Sequence, residues 1–95
     1  MENELKINNM KKIIYFSTTW CGPCKAFKPV VQEVSQELGI QVSYTDAEAD
    51  PTLAKMYNVT SVPTIVITDQ MGTALYRHTG PMPKGQLSQL LRTIG

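Results

Sequence analysis

The chain has 95 residues, nine basic and eight acidic, for a net charge of +1, with two cysteines and an apolar fraction of 42%. That is one globular domain, without the clustered Lys and Arg that nucleic acid or an anionic membrane surface would require. No apolar run approaches the roughly 20 residues of a membrane span, so no membrane partner is expected.

The first ten residues, MENELKINNM, carry Glu2 and Glu4 and lack the apolar core of a secretory signal. A cytoplasmic protein is expected, where a close cysteine pair is more often catalytic or metal-binding than structural. Leu5 and Ile7 alternate and are candidates for a short fifth edge strand within an arm over residues 1–10.

Lys12 to Ser17, KIIYFS, is rich in β-branched and aromatic residues and reads as a buried strand. Phe27, Val30, Val31, Val34 and Leu38 then mark one face of a helix, which Gly39 stops. Pro29 lies inside this helix, removes one backbone bond and predicts a kink. Ile40 to Thr45 alternates as a second strand, with Ile40, Val42 and Tyr44 on one face. Asp50 as N-cap and Pro51 at the first position open a short helix with Leu53, Met56 and Tyr57 on its apolar face. Thr64 to Thr68, TIVIT, is apolar on both faces and predicts a central strand. Asp69 to Gly72 supplies a turn, and Thr73 to Thr79 reads as a more polar edge strand. Leu87, Leu90, Leu91 and Ile94 mark a final amphipathic helix.

A helix between the first two strands predicts parallel pairing with a right-handed crossover. A short turn between the last two predicts antiparallel pairing. The result is an α/β fold: a mixed four-stranded sheet with helices on both faces, over residues 11–95.

Cys21 and Cys24 lie in TTWCGPCK, where the first strand passes into the first helix. Free N–H groups and the helix dipole favour an anion there, which predicts a Cys21 thiol below its free pKa of about 8.5. Residues three apart share a helix face, within reach of disulfide geometry. Pro23 fixes the first turn, and Gly22 lets a partner's backbone come close. A disulfide here closes a ring of four residues, worth roughly 2 kcal/mol against about 3 for a 15-residue loop. Such a bond is a poor staple and can open without unfolding the domain. A zinc site would need four ligands, and the chain offers the two cysteines and His78 unless a second chain contributes. Inert packing is the third reading. The strand-to-helix context favours the redox couple.

WCGPCK, with Gly-Pro between the cysteines, resembles the active-site motif of thioredoxins. Pro29, five residues past Cys24, falls where thioredoxins kink this helix. SVPT, Ser61 to Thr64, resembles the loop whose proline is cis and faces the cysteines. Gly72 matches a hairpin position, and GPMPKGQL, Gly80 to Leu87, resembles the segment holding the groove glycine. The resemblance spans roughly residues 11–95. It implies a thioredoxin fold and a protein-disulfide reductase with Cys21 as exposed nucleophile and Cys24 as buried resolving thiol. It implies a cis Pro63, with the Val62 backbone free to pair with substrate. Trp20, Gly22, Pro23, Val62, Gly80 and Pro81 would line the substrate groove. It further implies a monomer with no bound cofactor, disulfide-containing proteins as substrates, and thioredoxin reductase as electron donor.

The sequence departs from that family in three places. The usual buried aspartate, six residues before the first cysteine, is Tyr15, and a phenol is a poor base at neutral pH. The usual tryptophan four residues before the first cysteine is Ser17, and the lysine that often pairs with the acid is Tyr44. The N-terminus is also short, so the helix that family members place before KIIYFS is expected to be missing or reduced. Lys25 and Lys28 near the motif, His78 on the edge strand, and the Asp46, Glu48, Asp50 cluster read as solvated surface and a helix cap. Two other functions stay open: a binding module that uses the surface and not the thiols, and a glutaredoxin-like reductase using glutathione.

Overall fold

The computed structural model describes residues 10–94. The candidate edge strand at Leu5 and Ile7 and the expected loss of an N-terminal helix lie outside these residues.

The elements follow the predicted order: β1 (Lys12–Ser17), α1 (Gly22–Leu38), β2 (Gln41–Asp46), α2 (Pro51–Met56), β3 (Thr64–Thr68), β4 (Ala74–Thr79) and α3 (Lys84–Thr93). The sheet order is β2-β1-β3-β4. β1 and β2 are parallel, while β1 with β3 and β3 with β4 are antiparallel. β1 and β3 are the inner strands, and every residue of β3 is buried. That explains its two-sided apolar sequence, because a strand covered on both faces gains from apolar residues at every position. β4 is an exposed edge. A register shift at Ile67/Thr68 bends its pairing near the hairpin. In that hairpin Asp69 Oδ1 accepts from the Met71 and Thr73 amides at 2.9 and 3.0 Å, and Gly72 takes φ 87°.

Two apolar clusters hold the layers. The larger packs Phe27, Val31 and Val34 of α1 and Leu87 and Leu91 of α3 on Ile13, Tyr15, Ile65 and Ile67 of the sheet. The smaller, on the opposite face, joins Phe16 and Val66 to Ala54 of α2. α1 runs through Pro29 as one 17-residue element and ends on Gly39 at φ 70°, a left-handed conformation suited to glycine.

Several local expectations are corrected. β2 starts at Gln41, so Ile40 is buried before the strand, and Tyr44 is 44% exposed. Met56 points away from the core at 66% exposure, and Ala54 takes its place under α2. A helix of two turns offers too few positions for periodicity to choose its inner face. Lys11, unmarked by the sequence, is buried and donates from Nζ to the Leu91 carbonyl at 2.6 Å, near the end of α3. Burial lowers its pKa from 10.5.

Candidate active site

The site begins where β1 ends. Four residues past Ser17, Cys21 caps α1 in an extended conformation, its Sγ accepting from the Cys24 amide at 3.1 Å. The Lys25 amide donates to the Cys21 carbonyl at 3.2 Å, so the first turn closes around both thiols. Pro23 occupies the start of the helix, where no N–H is needed. Cys21 and Cys24 form a disulfide across a Cα separation of 5.2 Å.

Cys21 was expected to be exposed, yet in this oxidised form it is 5% exposed against 2% for Cys24. Its sulfur is bonded to that of Cys24 and accepts from the Cys24 amide at the start of the helix. What separates the two residues is direction. Cys21 lines an open groove of about 900 Å³, and Cys24 is not among the lining residues.

Trp20, Gly22, Pro23 and Val62 line the same groove. The opposite wall comes from Ala47, Pro51, Ala54 and Val59, which link α2 to the loop before β3. The Val62–Pro63 peptide bond is cis. Pro63 is buried beside Val62, and its carbonyl accepts from the Gly80 amide at 2.8 Å. Gly80 and Pro63 therefore support the rim without lining the groove. Pro81 is exposed and is not among the lining residues. Thr64 Oγ1 donates to the Ser61 carbonyl at 2.7 Å, which ties the loop to the start of β3.

Glu48 was read as part of a solvated cluster. Its Oε1 accepts from Trp20 Nε1 at 2.6 Å and so fixes the indole at the groove edge, although Trp20 is 70% exposed. The rest of the cluster is local. Asp46 Oδ1 accepts from the Glu48 and Ala49 amides, and Asp50 Oδ1 caps α2 through the Leu53 amide at 3.2 Å. A contact between residues 28 apart in sequence leaves no local signal that could have marked Glu48.

Tyr15, at the position of the usual acid, is fully buried, and its hydroxyl donates to the Cys24 carbonyl at 2.6 Å. Burial first, and the neighbouring Tyr44 second, push its pKa up to about 12. The phenol is neutral at physiological pH and holds the backbone of Cys24, not its sulfur. Tyr44 pairs with Tyr15 across β1 and β2, with ring centroids 5.9 Å apart and edge-on. Lys28 Nζ lies 5.1 Å from the Tyr44 ring centroid, a cation–π contact that turns this charge toward the aromatic pair. His78 is half-buried on β4 opposite Ile65 and joins no potential metal cluster among the described residues. No helix among those residues is long and apolar enough to cross a membrane.

Two thiols joined at a helix start, one of them open to a groove, can exchange a disulfide with a second molecule. Comparison with known proteins agrees. The family model described as Thioredoxin matches residues 1–93. A thioredoxin of Pyropia yezoensis is 33% identical over 92 residues, covering 95% of this chain and 85% of that protein. Chloroplastic thioredoxin Y of Oryza sativa is 37% identical over 83 residues, covering 85% of this chain but only 49% of that longer protein. The solved structure of a mutant thioredoxin from Halobacterium salinarum superposes with a TM-score of 0.83 at 26% identity, over 97% of this chain and 80% of that one. With the fold, the cysteine pair and these relatives in agreement, the chain belongs to the thioredoxin family and is a thiol–disulfide oxidoreductase.

Proposed function

We propose that the protein works as a reductase of protein disulfides, with Cys21 as nucleophile and Cys24 as resolving thiol. The observation that carries this reading is the placement of the pair: Cys21 lines the groove and Cys24 lies behind it. In the reduced protein the Cys21 thiolate attacks one sulfur of a substrate disulfide. That bond breaks, the other substrate sulfur leaves as a thiolate, and a mixed disulfide forms. Cys24, as thiolate, then attacks the Cys21 sulfur and releases the second substrate thiolate. Two electrons have passed to the substrate, and the protein is left with the Cys21–Cys24 disulfide described above.

The free amides at the start of α1 favour the Cys21 thiolate, and no bound cofactor is required. Trp20, Gly22, Pro23 and Val62 flank the attacked bond, and Pro63, Gly80 and Pro81 support the rim. A flavoprotein thioredoxin reductase is the matching electron donor. A monomer acting in the cytoplasm fits the chemistry, because a disulfide reductase must itself be re-reduced. The reading assigns the redox unit to residues 11–95 and an accessory arm to residues 1–10.

Paired variants test it. Cys24→Ser is expected to accumulate a covalent mixed disulfide with substrate, visible on a non-reducing gel, while Cys21→Ser forms none and loses turnover. A double serine variant that keeps its cellular activity would overturn the reading in favour of a binding module.

A further inference from the structure

Packing explains the ring of Tyr15 but not its hydroxyl. The ring is fully buried in the larger cluster with Ile13, Ile65 and Ile67, and its centroid lies 6.0 Å from Phe27 and 5.9 Å from Tyr44. A phenylalanine would fill that place. A buried hydroxyl adds a polar group that must find a partner, and this one takes the Cys24 carbonyl at 2.6 Å.

The first turn of α1 has few other ties to the sheet. Gly22, Pro23, Lys25 and Ala26 are exposed, and Cys24 is the buried residue among them. Pro29 has no N–H to offer the Lys25 carbonyl, so the turn is joined less fully to the rest of α1 than an unbroken helix would be. In the oxidised protein the disulfide also links Cys24 to Cys21. In the mixed disulfide that link is open, because the Cys21 sulfur is bonded to substrate. The Tyr15 hydroxyl then remains as a fixed point between β1 and the backbone of Cys24.

We propose that Tyr15 is a positioning residue for the resolving step. Its hydroxyl holds the Cys24 backbone, so that the Cys24 sulfur stays in reach of the Cys21 sulfur while substrate is attached. The Cys24 thiolate attacks the Cys21 sulfur, the bond from Cys21 to substrate breaks, and the substrate sulfur leaves as a thiolate. The phenol keeps its proton throughout and acts by placement alone. This proposal rests on the assignment of Cys24 as resolving thiol above.

The test mixes the reduced protein with an equal concentration of a symmetric nitrobenzoate disulfide. Attack by Cys21 releases one coloured thiolate and resolution by Cys24 releases the second, so stopped-flow absorbance reads the two steps apart. Tyr15→Phe, which keeps the ring, is expected to slow the second release about tenfold, the size of one hydrogen bond, and to leave the first unchanged. An unchanged second release overturns the proposal, and so does equal slowing of both, the mark of a merely structural role. Tyr15→Asp is no test of placement, because it adds a base as it removes the donor. A second measurement needs no Tyr15 variant. The parent's second-step rate is divided by the rate constant with which mercaptoethanol releases the nitrothiolate from the same mixed disulfide on Cys24→Ser, each taken per thiolate from its pH profile. The quotient is the effective concentration of the Cys24 thiolate, expected far above the millimolar value of a flexible tether. A millimolar value overturns the proposal even if Tyr15→Phe does not fold. If Cys24→Ser alone still releases both thiolates, the resolving-thiol reading fails first, and this proposal with it.

Discussion

At the scale of residues, Tyr15 separates this chain from the pattern of its family. A carboxylate at that depth would be costly unless paired, and here the acid and its lysine are both replaced by aromatics in edge-on contact. The exchange favours packing and removes a proton acceptor. The Tyr15 hydroxyl is held on the Cys24 carbonyl and stays protonated far above neutral pH, so it cannot take the Cys24 proton. Tyr15→Asp is expected to speed the decay of a mixed disulfide near neutral pH, read by stopped-flow fluorescence of Trp20. An unchanged or slower decay would show that Cys24 is activated by other means. The absence of an acid at Tyr15 was legible in the sequence. Its bond to a carbonyl was not, because hydroxyl direction follows from packing around Phe27 and Tyr44.

At the scale of elements, caps and breakers made the helices legible. Asp50-Pro51, Gly39 and the periodic face from Phe27 to Leu38 each act through local backbone chemistry. α2 matters most to the site, because this short helix supplies the groove wall opposite Cys21. Its single side-chain cap is Asp50. Asp50→Ala is expected to cost about 1 kcal/mol of stability in denaturant unfolding and to weaken substrate KM more than kcat. If neither changes, the cap does not hold the wall. Met56 was misassigned on this same helix, since two turns cannot fix an inner face and only the approach of Phe16 and Val66 selects Ala54.

At the scale of the whole molecule, the buried titratable groups predict an alkaline limit. Free tyrosine ionises near pH 10, but Tyr15 in the fold holds its proton to about 12. The stability it contributes is complete below about pH 10 and is lost as pH rises toward 12, because the unfolded chain releases the proton first. Lys11 acts in the opposite direction. Burial of its charged form opposes folding below its lowered pKa, and this cost is relieved as pH rises toward 10.5. Unfolding free energy is therefore expected to fall between about pH 10 and 12, and Tyr15→Phe is expected to flatten that fall while losing about 1 kcal/mol at neutral pH for one hydrogen bond. Chemical denaturation across that range checks it, and an equal fall in both proteins would assign the limit to other groups.

The sequence by itself determined the order and type of the elements, the strand-to-helix position of the cysteine pair, and the family. All of these depend on local periodicity, on turn and cap chemistry, and on spacings of a few residues. The tertiary structure decided which residues share the site. Trp20 meets Glu48, Lys11 meets the end of α3, and Cys21 faces the groove formed by α1, α2 and the loop before β3. It also decided that Cys21 in the disulfide form is nearly buried, its sulfur accepting from the Cys24 amide. Contacts of this kind join residues far apart in the chain, and their partners are fixed only when the layers close on the two cores.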